Sequence, residues 1–346
     1  MTTSTDALRP VRLWLVLCAA MIFAMVVIGG VTRLTESGLS ITEWRPVTGT
    51  LPPLSLAEWE AEFAKYQRIP EFREKNASMT LAEFKTIFWW EYVHRLWGRL
   101  IGLVFALPLA WFAVTGRVRG ALLWKLVGLL ALGGLQGAIG WWMVASGLVD
   151  RTDVSPYRLA VHLSLALVIY TLIVNLALDL GGGDRGVRTG GPTRRFGHTV
   201  LAAIGITIVA GAFVAGTDAG FVYNTYPLMD GRLVPAGYGD LSPWWANPFE
   251  NVAAVQFNHR WLAILTLLLV VAYVGWVHAR LADQSARRLA SWLGLSILAQ
   301  VGLGILALLH AVPVALGAAH QAGAVIVLTL ALATHRAAQH SARSDH

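Results

Sequence analysis

Eight long apolar runs constrain the fold of this chain more than any other feature. A helix needs about 20 mostly apolar residues to cross the hydrocarbon core of a bilayer, whereas a strand of a membrane barrel is half as long and alternates in polarity. The runs have the helical length and do not alternate. The sequence therefore predicts an all-α membrane protein with eight transmembrane helices, at about residues 13–32, 92–114, 121–146, 158–180, 196–217, 257–278, 289–309 and 315–334.

The composition excludes a soluble protein and narrows the choice of partners. Charged residues make up 14% of the chain, against about 25% in soluble domains. The net charge of +7 comes from Lys and Arg in short clusters between the apolar runs, so we expect membrane lipid and no nucleic acid as a partner. The single cysteine, Cys18, lies inside the first run, which excludes an intrachain disulfide and a cysteine metal site. Any metal or cofactor must be held by other side chains, histidine first.

The arginine clusters predict the orientation of the chain. Basic residues concentrate in short cytoplasmic connections, so both termini are expected in the cytoplasm, and the first run is expected to be a retained span and not a removed signal peptide. The long connections 33–91 and 218–256 then lie outside, and the first should hold short amphipathic helices at 56–65 and 81–88. The cytoplasmic clusters are Arg9 and Arg12, Arg117 and Arg119, Arg185, Arg188, Arg194 and Arg195, Arg280, Arg287 and Arg288, and Arg336 and Arg343.

The two halves of the chain resemble each other in order. Residues 91–97 (EYVHRLW) resemble 256–261 (QFNHRW), and 135–140 (LQGAIG) resemble 299–304 (AQVGLG). Because each half holds an even number of spans, the repeats share one orientation. The repeat predicts two tandem, pseudo-symmetric four-helix bundles, one at 1–184 that carries the outer loop 33–91 and one at 185–346.

Four of the ten histidines fall in register in this repeat: His94, His162, His259 and His320. A lone histidine in a span is as often a hydrogen bonder between helices as a functional residue. Two histidines in each four-helix bundle, near the outer ends of alternate helices, instead favour axial ligation of haem iron. A zinc or copper site would need further ligands, and no Cys or Met is repeated beside these positions. His310 lies in an outer connection and its role stays open, and five others are expected to be solvated or snorkelling: His198, His278, His335, His340 and His346.

Charge and space for a haem accompany these histidines. Arg95 and Arg260 directly follow two of them, and Arg99 lies one turn further on. We expect these arginines to pair with haem propionates, with snorkelling to lipid headgroups as the alternative. Glycines could admit a flat macrocycle, or serve close helix packing equally well; they are Gly133, Gly134, Gly137, Gly140, Gly302 and Gly304.

The repeat breaks at one chemically important position. Glu91 precedes His94 by three residues, whereas Gln256 holds the corresponding place before His259. The two side chains have nearly the same shape, but only the carboxylate can take up a proton or stabilise a developing cation. This break predicts a reactive N-terminal half and a permanent electron-transferring haem in the C-terminal half. The alternative is that Glu91 only interacts with the dipole of its helix.

Several segments together resemble the haem A synthase family, from about residue 12 to 335. They are 29–40 (GGVTRLTESGLS), 43–46 (EWRP), 91–95 (EYVHR), 216–220 (GTDAG), 224–227 (NTYP) and 258–260 (NHR). The resemblance implies an eight-span enzyme that oxidises the C8 methyl of haem O to a formyl group through hydroxylated intermediates. The product is the haem A of cytochrome c oxidase.

The resemblance also implies roles for individual residues. Substrate haem O would sit between His94 and His162, and a cofactor haem b between His259 and His320, with the family's acidic residue at Glu91. Some members carry a cysteine pair in the first outer loop, and this chain has none there, so it is similar to the branch of proteobacteria and mitochondria. Without a mitochondrial presequence, a bacterial inner membrane is expected, with the haem sites near the periplasmic face.

Two other functions explain part of the pattern. A dihaem electron-transfer cytochrome b would use the four histidines but leaves the Glu91 and Gln256 difference unexplained. A tandem-repeat transporter would bind its substrate near the midplane, away from the expected depth of these histidines. For the synthase, expected partners are the farnesyltransferase that supplies haem O and cytochrome c oxidase assembly factors, while the electron donor or acceptor and homo-oligomerisation stay open.

Overall fold

The computed structural model describes residues 7–46, 48–181 and 191–341. Within these ranges no strand forms, and a single antiparallel bridge joins Met229 to Arg232. The helices are α1 (Arg9–Leu34), α2 (Leu56–Tyr66), α3 (Pro70–Glu74), α4 (Leu81–Val114), α5 (Gly120–Ala145), α6 (Pro156–Gly181), α7 (Pro192–Gly216), α8 (Asn247–Glu250), α9 (Val252–Arg280), α10 (Gln284–Leu309) and α11 (Val314–Ser341).

Eight of these helices are long and apolar enough to cross a membrane. They are all except α2, α3 and α8, which confirms the prediction of an all-α protein with eight spans. Large apolar side chains point outward along them, such as Leu107, Trp124 and Leu268, as expected where lipid replaces water. Some predicted features lie outside the described residues: Arg185, Arg188, Arg343, His346, the side chain of His340 and the boundary between 184 and 185.

The predicted limits of one expected helix are wrong. The segment 81–88 is not a separate surface helix, because it forms the first turns of α4, which continues without a break to Val114. Thr80 and Glu83 form a capping box at its start, so the helix begins where two backbone N–H groups are satisfied. The other expected helix, at 56–65, is confirmed as α2, which starts at a capping box of Ser55 and Glu58.

The described residues cluster into two compact units. The N-terminal unit runs from Leu17 to Tyr170, and the C-terminal unit begins at Thr171 and includes the start of α1, up to Val16. Both boundaries fall inside helices. The tandem, pseudo-symmetric bundles and the inward termini remain predictions.

An aromatic cluster covers part of the N-terminal unit. We call α2, α3 and the first turns of α4 the outer module. Its buried side chains include Trp59, Tyr66, Phe84 and Phe88, and the rings of Trp59 and Phe88 meet edge to face at 4.9 Å. The first long connection therefore has a core of its own, which holds the start of α4 in place.

The C-terminal unit contains a ring of four helices. Helix α7 packs against α9 and α11, and α10 packs against the same two helices. Helices α9 and α11 are therefore at opposite corners of the ring. Side chains that point inward from α9 and α11 face each other across the bundle core, where cofactors sit in such bundles.

Candidate functional site

In the N-terminal unit each predicted histidine lies against a glycine of another helix. A Cβ atom on Gly29 of α1 would be 3.1 Å from Nε2 of His94 on α4. One on Gly140 of α5 would be 2.8 Å from Cε1 of His162 on α6, closer than real side chains approach. The two imidazoles lie near enough for a charge on one to act on the other. The structure thus brings His94 and His162 together.

The C-terminal unit repeats this arrangement. A Cβ atom on Gly211 of α7 would be 3.1 Å from Cε1 of His259 on α9, and one on Gly304 of α10 would be 2.8 Å from Cε1 of His320 on α11. His259 and His320 also lie within electrostatic range of each other. Because α9 and α11 are at opposite corners of the helix ring, this pair spans the bundle core.

A glutamine contacts one histidine of each pair. Nε2 of Gln136 is 3.1 Å from Nδ1 of His162 and donates to that residue's carbonyl oxygen at 3.0 Å. Nε2 of Gln300 is 3.2 Å from Nδ1 of His320 and donates to its carbonyl oxygen at 2.9 Å. The second histidine of each pair is therefore held by an amide one turn before the glycine that its ring faces.

Glu91 is buried and accepts four hydrogen bonds. Its Oε2 accepts from the hydroxyl of Ser40 and the backbone N–H of Ile41, both at 2.7 Å. Its Oε1 accepts from Arg95, at 2.6 Å from Nη2 and 3.0 Å from Nε. Arg95 also donates to the carbonyl oxygens of Ile41 and Glu43. Together Glu91 and Arg95 fix the chain that leaves α1 against the face of α4, one turn from His94.

Gln256 and Arg260 bind the corresponding connection of the C-terminal unit, but here Gln256 donates hydrogen bonds to the loop, whereas Glu91 accepts them from it. Nε2 of Gln256 donates to the carbonyl oxygens of Ala219 and Val222, and its Oε1 accepts from Arg260 at 2.9 Å. Arg260 also donates to the carbonyl oxygen of Tyr223 at 2.6 Å. In the N-terminal unit the loop donates to the helix side chain, whereas here the helix side chain donates to the loop. The side-chain identity at 91 and 256 matches this difference.

The arginines predicted to bind propionates differ in how many of their nitrogens still lack a hydrogen-bond acceptor among the described residues. Each guanidinium nitrogen of Arg95 already donates a hydrogen bond. Arg99 donates to the carbonyl oxygens of Pro46 and Arg45, but its Nη1 is buried and finds no acceptor among the described residues. Nε of Arg260 is likewise buried and has no acceptor in the described part of the chain. Arg99 and Arg260 therefore keep unused donors for an anion.

The residues present fit a haem in each unit. Axial ligation needs two imidazoles on facing helices, room beside the rings and cations for the propionates. Glycines leave that room at all four rings, and unused arginine donors supply the cations. Within the described ranges, no group of three or more His, Cys, Asp or Glu could hold a metal ion directly.

The remaining described histidines lie elsewhere. His310 ends α10, where its Nδ1 is 2.9 Å from the carbonyl oxygen of Leu306. His278 contacts the carbonyl oxygen of Val274 at the end of α9. The rings of His198 and His335 are 4.7 Å apart. His198 and His278 are exposed as expected, but the expectation of a solvated or snorkelling side chain is wrong for His335, which is buried and contacts Gln339 one turn further along α11. None of these four is brought to either histidine pair.

Sequence reasoning missed four participants in this arrangement. Ser40 lies 51 residues before Glu91, and no pattern in the sequence places its hydroxyl or the N–H of Ile41 beside that carboxylate. Gln136 and Gln300 could have been found, because they occupy the same place in the repeated segments 135–140 and 299–304. The predicted roles in those segments concern only their glycines and include none for the glutamines.

The chain is similar to known proteins over most of its length. The model of the COX15-CtaA family, described as cytochrome oxidase assembly protein, matches residues 12–332. The haem A synthase of Rhodospirillum centenum is 52% identical over 94% of this chain and 88% of its own length. That of a Chelativorans species is 50% identical over 96% and 93%, and that of Nitrosospira multiformis is 48% identical over 94% and 92%.

Proposed function

The chain belongs to the COX15-CtaA family of cytochrome oxidase assembly proteins, and from that premise we propose that it acts as a haem A synthase. It is a multi-pass membrane oxidoreductase whose substrate is haem O and whose product is haem A. One observation carries the proposal beyond the family match. The two histidine pairs have the same surroundings, but only the N-terminal pair has a carboxylate, Glu91, one turn from a histidine.

Each histidine pair holds a different haem. His94 and His162 hold the substrate haem O, and His259 and His320 hold a resident haem b. The haem groups, when bound, supply the redox chemistry that converts the C8 methyl to a formyl group in two successive oxidations. The protein holds the porphyrin between helices, keeps the methyl group beside Glu91 and pairs the propionates with arginine.

Glu91 supplies a fixed anion on the reactive side. Its four hydrogen bonds restrict the carboxylate to one position, so little reorganisation would be needed when positive charge develops at the carbon of the C8 methyl group. It stabilises that charge or accepts the proton that the carbon loses. Gln256, which is neutral, can do neither, and this supports a permanent haem in the C-terminal unit.

Propionate binding belongs to the arginines with unused donors. Arg99 in the N-terminal unit and Arg260 in the C-terminal unit each keep a buried nitrogen without an acceptor among the described residues. Arg95 contributes its charge from within the ion pair with Glu91. Anionic groups on these arginines would offset the cost of burying cations in a span.

The Glu91→Gln variant tests this proposal. We expect protein expressed with a haem O supply to yield haem A or its hydroxylated precursor, and the variant to retain haem O and haem b with at least about 100-fold less product. Haems are extracted and identified by chromatography and pyridine haemochrome spectra. The matched control is Glu60→Gln on the exposed face of α2, which should leave the product unchanged. Haem b alone in the wild type, with and without haem O, would contradict the proposal and indicate an electron-transfer cytochrome.

The proposed function also implies where the chain lies in the cell and which proteins it works with. The chain is placed in the inner membrane of a bacterium, with both termini in the cytoplasm and the haem sites near the periplasmic face, in agreement with the basic connections. A farnesyltransferase supplies haem O, and cytochrome c oxidase assembly consumes haem A. The farnesyl tail would lie against the exposed apolar side chains of the spans.

A further inference from the structure

Gln136 and Gln300 have matching contacts that the proposed reaction does not use. Each glutamine lies four residues before a glycine whose Cα faces a histidine ring, Gly140 or Gly304. Each places its amide nitrogen against Nδ1 and the carbonyl oxygen of the same histidine, His162 or His320. The amide nitrogen of Gln136 is nearer to Nδ1 of His162, at 3.1 Å, than to Nε2, at 3.4 Å. The glutamine and its contact with the histidine are present in both halves of the repeat, although the residue before the glutamine and the residue after it differ between the two halves, which indicates that the contact serves the histidine.

The amide oxygens of both glutamines are unsatisfied. Oε1 of Gln136 and Oε1 of Gln300 are buried and accept no hydrogen bond from the described residues. Leaving a buried acceptor unpaired costs about 1–3 kcal/mol. In both glutamines the atom beside Nδ1 of the histidine is Nε2, so Oε1 reaches a donor there only if the amide turns over when Nδ1 becomes an N–H donor.

Axial ligation creates that donor. A neutral imidazole that binds iron through one nitrogen carries its proton on the other, and ligating histidines almost always donate this second N–H to an oxygen acceptor. For His162 and His320 the adjacent polar side chain is the glutamine amide. Rotating the amide by half a turn exchanges its nitrogen and oxygen, so Oε1 can accept from Nδ1–H. This rotation gives up the hydrogen bond from Nε2 to the histidine carbonyl oxygen, at 3.0 Å in one unit and 2.9 Å in the other. Because two acceptor oxygens repel, Oε1 must also tilt from that carbonyl toward the ring, while the carbonyl oxygen keeps its ordinary helical partner four residues on.

We propose that Gln136 and Gln300 are positioning residues that orient His162 and His320 for ligation through Nε2 by accepting a hydrogen bond from Nδ1–H. This inference rests on the proposed function for the presence of the haem and adds how the chain controls its ligand.

Redox titration of the C-terminal haem tests the proposal independently of synthase activity. A stronger acceptor at Nδ1–H makes the imidazole a better donor to ferric iron, whereas loss of the acceptor has the opposite effect. We expect Gln300→Glu to lower the midpoint potential of this haem and Gln300→Leu to raise it. The measurements use the full chain in detergent, and pyridine haemochrome analysis gives the haem content.

The control is the same pair of substitutions at Gln284. This glutamine is exposed at the start of α10, about 24 Å from Gln300 along the helix at about 1.5 Å per residue. Both Gln284 variants should keep the wild-type potential.

Shifts of the two Gln300 variants in the same direction, or no shift with full haem content, would overturn the inference and leave the proposed function intact. If Gln300→Glu does not fold with haem, Gln300→Leu alone decides, since a lowered or unchanged potential contradicts the proposal. Wild-type protein without haem in this unit, shown by equal haem content in His320→Ala, would overturn both the inference and the resident haem.

Discussion

Each of the four paired histidines faces a glycine on a neighbouring helix, and this contact separates two explanations for the glycine-rich segments. Gly133, Gly134, Gly137 and Gly302 meet no atom within 4 Å of a built Cβ among the described residues. Gly140 and Gly304 would place a Cβ at 2.8 Å from a ring atom. Close approach to histidine therefore explains the last glycine of each repeated segment, whereas nothing in the structure explains the others.

The Gly304→Ala substitution should weaken haem binding in the C-terminal unit. The added methyl group displaces the ring of His320, and overpacking of this kind costs about 1–3 kcal/mol. We therefore expect haem retention to fall about tenfold or more, measured by the haem-to-protein ratio after transfer to apomyoglobin.

Gly302→Ala on the same helix provides the comparison. Its Cβ meets open space within the described structure, and alanine favours a helix over glycine by about 0.5–1 kcal/mol. Haem retention should be unchanged or slightly better. Equal losses in both variants would show that helix packing, and not the ring contact, limits these positions.

The four paired histidines and Glu91 could be singled out from the sequence because each half of the tandem repeat can be compared with the other. His94 with His259, and Glu91 with Gln256, align without any structure. The partners of Glu91 could not be predicted, because the hydrogen bonds from Ser40 and Ile41 depend on how a loop folds back onto α4. Their contacts span sequence separations on which periodicity carries no information.

At the scale of helices, hydropathy located the spans but not their ends. The apolar run near residue 92 marks the part of α4 suited to lipid, while the helix begins at Leu81 because a capping box satisfies its first N–H groups. Burial of Phe84 and Phe88 against the side chains of α2 and α3 then stabilises turns that are too polar to cross a bilayer. Capping signals and tertiary packing set helix ends, and a hydropathy window detects neither.

The outer module should lose stability as the pH rises. Burial raises the pKa of Glu71 on α3 from 4.5 to about 8, an effect that Asp153 and Glu36 reinforce and Tyr66 and Lys75 oppose. Because the folded state holds the proton more tightly, stability is full below about pH 4.5 and declines as the pH approaches 8. The loss reaches about 5 kcal/mol at most, since a tenfold change in proton affinity is worth about 1.4 kcal/mol.

Hydrogen exchange of peptides covering α2 and α3, corrected for intrinsic rates, measures this effect. Wild-type protection should be higher at pH 5.5 than at pH 8.5, and Glu71→Gln should remove the difference because its side chain stays neutral. Glu74→Gln, exposed on the same helix, should keep it. A pH dependence that persists in Glu71→Gln would assign it to another group.

For the molecule as a whole, the lengths of the apolar runs predicted eight spans because the bilayer imposes one length on every crossing segment. The division into compact units is less accessible, since both boundaries fall within helices, at Val16 and at Tyr170. A repeat in the sequence reports shared ancestry of segments, whereas a compact unit reports which side chains pack together. The two kinds of boundary need not coincide.

Orientation is the whole-molecule property that labelling can decide. Cys18 is 1% exposed, so the chain offers a nearly silent background for single cysteines. Arg232→Cys in the second long connection should react with a membrane-impermeant maleimide in intact cells whose outer membrane is permeabilised. Ala282→Cys, exposed between α9 and α10, should react only after the inner membrane is disrupted.

These two sites have opposite predicted faces because α9 separates them. Arg280, Arg287 and Arg288 flank Ala282, whereas the connection from α10 to α11, at 310–313, has no Lys or Arg, and such asymmetry sets the cytoplasmic side. The reverse labelling pattern would place both histidine pairs near the cytoplasmic face. Haem O would then have to enter, and haem A leave, from the cytoplasmic half of the bilayer.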